Sequence, residues 1–507
     1  MKDRILFWLD AELIHLFLAK FMQEKYDADY FSVADVNIPL KKYFQNQQMI
    51  HFEKMWFYRD HISLKMKKPD LNYLTKFESN YDINLWRISY NERNFYRFTK
   101  AHKFTDEEIL WILEQECKLF EQIIGQSNPD YFILKTYNGH HAHLLYEMCK
   151  KRGVKTMILS ETRYPDKTII YSTFDKIDKT MKHPVNVHEE NVSQDDLKKF
   201  IDEKFSKRQK DTLERGNFQA SLLKRSEASI KFALFTNLKE YGEYFPNYKK
   251  TLFSIFKNKL RNKYGKYRNQ RYFEKNALKQ IPLDSPFVFY PLHVEPEKTI
   301  SIYAPFHTNQ FEIIHQIAKA LPINCKLFVK EHPHQIYYDY GPKTTSFYES
   351  IRELPNVRLI HPSVSSKELI QRCSLVVTIT GTVGLEAQFY GKPVIVFARP
   401  IYSSLSSVHK LNSYEELSDA IKLSLKKTVD PTELNKFNDF IENNFIDFSW
   451  EHLSLEVSKT FFYGGFSGET ELSDMKIQSF IKKHKIILDK LSNEHIQKIH
   501  TYKKLNR

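Results

Sequence analysis

The chain is poor in glycine, with only 13 in 507 residues, where about 7% is usual. Collagen-like chains, glycine linkers and proteins dominated by glycine loops are therefore excluded. Cysteine is scarce as well. Cys117, Cys149, Cys325 and Cys373 lie far apart and form no C-x-x-C pair. A disulfide framework and a cysteine-based zinc site are not expected, and a reducing cytosol is the simplest setting. No run of 18 or more apolar residues occurs, so no membrane span is expected. The first residues, MKDRILFWLDAELIHLFLAKF, have the outline of a signal peptide. Asp10, Glu12 and His15 interrupt the apolar run, however, and no small-residue cleavage site follows. The segment reads instead as a strand followed by a helix. G-x-G-x-x-G, Walker and G-x-S-x-G motifs are all absent. Their absence disfavours a dinucleotide enzyme, a P-loop NTPase and a serine-hydrolase elbow.

What is present is apolar and basic. Apolar residues make up 42% of the chain and aromatics 15%, enough for large cores, so a mostly disordered chain is excluded. At about 100–200 residues per domain, the length implies two to four domains. The net charge of +14 fits nucleic acid, an anionic membrane face or a phosphorylated substrate. A codon-driven enrichment in lysine would give the same balance.

Strand and helix patterns alternate along most of the chain. An apolar run at 5–9, a helical pattern over 11–25 and a strand at 29–34 open it as a βαβ unit. Residues 40–100 are polar, aromatic and irregular. A long helix is expected over 106–125, with Thr105 and Glu108 as a capping box. YFILK (131–135), a turn at Asn138-Gly139, a helix over 140–152 and a strand at 154–160 make a second βαβ unit. Residues 1–192 therefore read as one α/β domain. Residues 193–280 are dense in Lys and Arg with helical periodicity, and read as a basic helical insertion or connector. A solvated helix face is the plain explanation, and a membrane-surface or nucleic-acid patch the functional one. From Pro282, strands recur every 18–30 residues with helices between them, which predicts a second doubly wound parallel sheet over 281–430. Residues 431–507 read as a helical, basic C-terminal segment.

Ligands of open α/β sheets sit at the carboxyl ends of strands, so the loops after strands carry the candidates. TITGTVGLEA (378–387) runs from a strand straight into a helix. Thr380, Gly381 and Thr382 there offer hydroxyl and backbone donors at a helix N-terminus, suited to an anion. Glu386, one turn on, is placed to accept from ribose hydroxyls; an ordinary capped helix with a structural salt bridge is the alternative. VKEHPHQ (329–335) places Lys330, His332 and Pro333 after another strand, where a phosphate contact is expected. The His332-x-His334 pair lacks the further ligands a metal site needs. FYPLHVEPE (289–297) adds His293 and Glu295, which suit a cleft wall or a charged surface loop. On the first domain, Asn138, His140 and His141, and then Glu161 and Arg163, also follow strands. Glu161 is the first choice for a general base, with Asp166 second and His140 third. A metal pair at His140 and His143 is less expected than capping or substrate contact. Asp27-Ala28-Asp29 is a literal D-x-D, but it precedes its strand and so lies at the wrong edge. No metal is expected.

The order YPLHVEPE, LFVKEHP, NVRLI, TITGTVGLEA, GKPVIVF resembles the bacterial capsule and surface polysaccharide biosynthesis proteins, a group that includes Kdo-transferase-like glycosyltransferases. The resemblance covers 287–398, with a looser likeness over 130–170. It implies a GT-B-like fold of two Rossmann-like doubly wound domains, the nucleotide sugar sitting mainly on the second; the helical connector and the helical C-terminal tail come from the composition, since no resemblance extends over 1–100 or 410–507. It also implies that His332 contacts the donor phosphate, that Thr380, Gly381 and Thr382 form the phosphate turn, and that Glu386 contacts the ribose. Relatives carry two acids and a Gly where this chain has Ser160-Glu161-Thr162-Arg163, so the base departs from the pattern. The implied activity moves a sugar from a nucleotide-activated donor, CMP-linked by preference, to a glycan or lipid-linked glycan acceptor. No cofactor or metal is required, and the work is done in the cytoplasm or on the inner face of the membrane. Alternatives are a CDP-polyol-type phosphotransferase, a sugar-nucleotide epimerase or hydrolase, and a non-catalytic scaffold of a polysaccharide assembly complex. A nucleic-acid partner is disfavoured because no binding motif is present and the aromatics lie in core-like segments.

Overall fold

A computed structural model describes residues 2–96, 102–136, 139–162, 164–173, 193–217, 251–282, 285–295, 298–337, 343–462 and 472–505. The chain builds two sheets. Six strands of the first come from the N-terminal part: β1 (Asp3–Leu9), β2 (Ala28–Ala34), β3 (Lys54–Phe57), β4 (Tyr131–Lys135), β5 (Lys155–Glu161) and β6 (Lys167–Tyr171). The second sheet holds β7 (Phe287–Pro291), β8 (Lys326–Lys330), β9 (Val357–Ile360), β10 (Leu375–Thr378), β11 (Val394–Val396) and β12 (Val408–Lys410). The two-residue β13 (Ile446–Asp447) returns to the first sheet. The strand orders are β13-β6-β5-β4-β1-β2-β3 and β12-β11-β10-β7-β8-β9. The fold is thus α/β with two doubly wound, Rossmann-like sheets of GT-B type.

The strands read as continuous apolar runs because helices cover both sheet faces. In β1, Ile5, Phe7 and Leu9 point into one core, while Leu6 and Trp8 point into the other. The second sheet repeats the pattern, with Phe287 and Phe289 on one face and Val288 and Tyr290 on the other. Removing a ring from such a site costs about 3–5 kcal/mol. The helix Asp106–Ser127 starts at the expected capping box, in which Glu108 N–H donates to Thr105 Oγ1 (3.2 Å) and Thr105 N–H to Glu108 Oε2 (2.8 Å). The basic stretch forms the helices Gln194–Asn217 and Leu252–Asn276.

Three features depart from the sequence reading. The polar stretch 40–100 contains the parallel strand β3 and the helix Leu71–Tyr81. The strand at 154–160 does not lead into an open loop. It turns back through a hairpin to β6, an antiparallel strand, with Asp166 in the left-handed region at φ 56°. The helices of residues 450–505 lie against the first sheet, where Trp450, Phe461, Phe480 and Leu488 share a core with Ile5, Phe7 and Phe17. The β5–β6 hairpin also reaches the other unit: Tyr164 donates to Asn438 and Glu442, and Lys167 pairs with Glu442.

Candidate functional site

In each sheet the strand order reverses once, between β1 and β4 and between β7 and β10. A crevice opens at such a switch point, outside the carboxyl ends of the strands. The expected donor residues gather at the second one.

His293 follows β7 and Thr378 ends β10. Thr378 Oγ1 lies 3.1 Å from His293 Nε2, and Ile379 N–H donates to the same nitrogen at 3.3 Å. Nε2 is therefore an acceptor, which assigns the neutral tautomer protonated at Nδ1. Gly381 N–H donates to Thr378 Oγ1 (3.1 Å), so His293 braces the 378–381 turn from below. A side chain at Gly381 would put its Cβ 2.7 Å from Thr378 Oγ1 and 3.4 Å from His293 Cε1. Glycine is thus required there by close packing. The helix Thr382–Phe389 begins at Gly381 with no side-chain cap on its first turn, so the turn presents N–H groups at the positive end of the helix dipole. Two further parts escaped the sequence reading. Tyr402 Oη donates to Gly381 C=O (2.5 Å), and Gly384 leaves room for that ring, since a Cβ there would come 2.9 Å from Tyr402 Cζ. A lone Tyr 21 residues after Gly381 gives no sequence signal.

The β8 loop stands beside this turn. Glu331 is fully buried and accepts from His332 N–H (2.7 Å), Tyr348 Oη (2.8 Å) and Lys343 Nζ (3.1 Å). This holds the 331–333 backbone rigid and leaves the side chain of His332 exposed at the start of the helix Pro333–Tyr337. Lys330 is buried, and its ammonium donates to Ser366 Oγ at 2.7 Å. Burial lowers its pKa to about 8, and the charge of Glu386 opposes that shift. Lys330 and Glu386 are thus close enough to feel each other, as a shared ligand site requires. Glu295 receives Gln310 on its carboxylate and is fixed through its N–H to Gln335 Oε1 (2.8 Å). It therefore shapes the β7 loop. Pro296, Glu297 and the side chain of His334 lie outside the described residues.

The first sheet's switch point is lined by charge. Lys135, at the end of β4, is nearly buried and reaches Glu12 Oε1 (2.5 Å) and Asp10 Oδ2 (3.6 Å), both just past β1. Trp450 Nε1 donates to Glu12 Oε2 at 3.1 Å. Burial pushes the Asp10 carboxyl up. Lys135 opposes that rise, and the charges of Glu12 and Asp35 add to it. Asp10 keeps about a quarter of its side chain exposed (27%). Sequence reading saw Asp10 and Glu12 only as interruptions of an apolar run. Their position one and three residues past a strand was the available signal. Glu161 is exposed at the last position of β5, opposite Thr168, and its charge is felt by Lys135. Asp166 sits in the hairpin turn, where its carbonyl accepts from Phe448 N–H (2.9 Å). Asn138 and Arg163 lie outside the described residues.

His140 and His141 are placed differently from their expected role on the acceptor side. His140 is fully buried, with Nδ1 3.0 Å from Glu92 Oε2 and Nε2 2.9 Å from Glu116 Oε1. Burial alone would keep the ring neutral. The two carboxylates outweigh it and raise the pKa to about 10, while the same contact holds Glu92 down at about 2. His141 stacks on Tyr58 (4.6 Å between centroids), and its Nε2 lies 3.2 Å from Asp35 Oδ2. Arg59 in turn holds Asp35, through Nε to Oδ1 at 2.9 Å. His143 turns away to Glu147 (3.6 Å), so it is His141 and Glu92, not His143, that share a site with His140. The exposed Asp27 pairs with Lys2 at the amino edge, away from both switch points.

Residues 190–415 match the family model for capsule polysaccharide biosynthesis proteins. Over that stretch the chain is similar to those proteins, as its motifs imply, and the match takes in the basic helices as well as the second sheet. Among curated proteins, Protein FixF of Sinorhizobium fredii is 26% identical over 188 residues, 37% of this chain; the match spans 42% of that protein's length. Solved structures with a likeness include the beta Kdo 2,7 transferase KpsC of Thermosulfurimonas dismutans, with 14% identity, 74% of this chain and 97% of that one covered, and a TM-score of 0.29. Another is the UDP-GlcNAc 2-epimerase of Methanocaldococcus jannaschii, with 13% identity, 90% and 99% covered, and a TM-score of 0.22.

Proposed function

We propose that the chain is a glycosyltransferase of capsule or surface polysaccharide synthesis, taking its sugar from a nucleotide-activated donor. The observation that carries this is the donor set at the β7/β10 switch point: the 378–382 turn braced by His293, with Lys330 and His332 beside it. A nucleotide diphosphate or monophosphate sits on that turn, its ribose toward Glu386. His332 and the helix N-terminus stabilise the departing phosphate. The acceptor hydroxyl approaches the β1/β4 edge. Asp10 is the favoured base, because burial has moved its carboxyl toward the pH at which a base is useful. Glu161 stands at the rim of the same charge cluster. The proton passes from the acceptor oxygen to the carboxylate, a bond forms from that oxygen to the anomeric carbon, and the nucleotide phosphate leaves.

Thermal unfolding with CMP, CDP, UDP, GDP and ADP, each with and without chelator, tests the reading. A ligand at about 100 times its Kd stabilises by about 2.7 kcal/mol. Stabilisation by one nucleotide, lost in Glu386→Ala, supports the proposal and names the donor class; no stabilisation by any of them refutes it. Product analysis with the preferred donor separates sugar transfer from CDP-polyol phosphotransfer.

The acceptor is membrane-bound in this reading. On the helix Leu252–Asn276, Phe253, Phe256, Leu260, Tyr264 and Tyr267 form one exposed stripe, with Phe253 74% accessible. Lys257, Lys259, Arg261, Lys263, Lys266, Arg268 and Arg271 surround it, and only Glu274 is acidic on this helix. Such a helix lies in an anionic interface, each basic residue contributing about 1 kcal/mol. No described helix is long and apolar enough to cross a membrane. Flotation with anionic vesicles, reversed by salt and weakened in a Phe253→Ser/Phe256→Ser variant, is expected. Flotation indifferent to anionic lipid would refute it.

A further inference from the structure

We infer that the first domain holds a divalent transition-metal ion, of the zinc type, between Glu92, His140 and His141. The inference is independent of the transferase reading. One ligand atom from each residue lies within 4.8 Å of the other two, and all three side chains are buried. Around a metal, a histidine almost always donates its far ring nitrogen to a carboxylate or carbonyl. His141 does so already, and His140 Nε2 is placed for it. His140 Nε2 faces Glu116 Oε1 (2.9 Å), and His141 Nε2 faces Asp35 Oδ2 (3.2 Å). With Nε2–H donated outward, each ring turns Nδ1 toward Glu92. His140 Nδ1 is 3.0 Å from Glu92 Oε2. That contact is a hydrogen bond, which the ion would replace, the two atoms parting to the roughly 3.4 Å between ligands on a tetrahedral ion with bonds of about 2.0–2.2 Å. His141 Nδ1 and Glu92 Oε2 border the same small space, lying 3.0 and 3.4 Å from where a Cβ on Gly139 would stand. Any larger residue at 139 would fill it.

Charge argues the same way. Arg59 offsets Asp35. Glu92 and Glu116 are 2% and 0% exposed, with His140 between them. Two carboxylates taken out of water around one imidazole make a setting that favours a cation. A divalent ion with both imidazoles neutral cancels both carboxylates, the Nδ1 proton of His140 leaving as the ion enters. Glu116 Oε1 accepts from Tyr58 Oη and faces His140 Nε2, while its Oε2 is buried without a hydrogen-bond partner among the described residues. Two imidazoles and one carboxylate are a ligand set suited to zinc, and three protein ligands leave a fourth position open.

The test uses the untagged full chain, stripped with chelator and then titrated with zinc against a chromophoric competitor, and separately with cobalt. The expected result is one zinc per chain and a visible tetrahedral cobalt spectrum, both lost in His141→Gln and Glu92→Gln. Glu116→Gln keeps all three ligands and should bind zinc 10- to 100-fold more weakly, a change that a purely structural hydrogen bond would not produce. Equal zinc uptake by wild type and both ligand variants would overturn the proposal, as would the absence of a tetrahedral cobalt spectrum from the wild type, which decides the matter even if the variants fail to fold.

Discussion

The two switch points solve opposite problems. At the second sheet the lining is neutral or donating: an imidazole held in its neutral tautomer, threonine hydroxyls, an uncapped helix start and a lysine. At the first sheet it is dense with acceptors: Asp10, Glu12, Asp35 and Glu161 around Lys135. One edge offers hydrogen-bond donors and a lysine, the other carboxylates; the proposed function gives an anion to the first and an acceptor hydroxyl to the second. A single fold used twice has been differentiated by the residues one to three positions past each strand.

Four experiments would break or sharpen that contrast. The largest effect is expected on the acceptor side, where Asp10→Asn should lower sugar transfer by roughly 10²- to 10⁴-fold while leaving nucleotide-induced stabilisation intact. If Glu161→Gln causes the larger loss, the base is at the hairpin rim instead. On the donor side, His332→Ala should lower turnover by roughly 10²-fold; unchanged turnover would remove His332 from the reaction. Gly384→Ala drives a methyl into Tyr402 and should cost about 1–3 kcal/mol of stability, read by denaturant unfolding. Tyr402→Phe in the same chain should recover part of that loss. The smallest effect is in pH. Lys330, with a pKa near 8, is cationic below that value and loses its charge as pH rises through it. Nucleotide affinity should therefore fall above pH 8, with proton uptake on binding there. Lys330→Arg, which stays charged, should flatten the profile. A profile that is already flat in the wild type would show that Lys330 does not serve the phosphate.

How much of this was legible in the sequence differs between the same two regions. The second sheet was read almost strand for strand, because each strand is a short apolar run followed at once by its loop residues. His293, Lys330 and Thr380–Thr382 fall where position alone puts them. In the first sheet, β3 is four residues, KMWF, in a polar setting, and β13 is only two; neither length carries a pattern. The hairpin after β5 was hidden because an antiparallel return looks like any apolar stretch after a turn. The partners of His140 were hidden for another reason. Glu92 and Glu116 are single acids 48 and 24 residues upstream, and only the folded helices bring them together. A charged residue that will be buried looks, in one sequence, like any charged residue on a surface.

The return of the chain to the first sheet has a consequence for synthesis. One face of that sheet, with Ile5 and Phe7, and Phe17 of the helix Ile14–Gln23 share a core with residues from 446–502. On the ribosome these partners emerge after the whole second unit. At about 5–20 residues per second, the nascent first domain waits on the order of tens of seconds with an apolar face uncovered. During that interval it is a substrate for chaperones. The second unit has all its strands, 287 to 410, synthesised before the last residues of the first core, so the two cores can be completed in the reverse of the order in which they are begun.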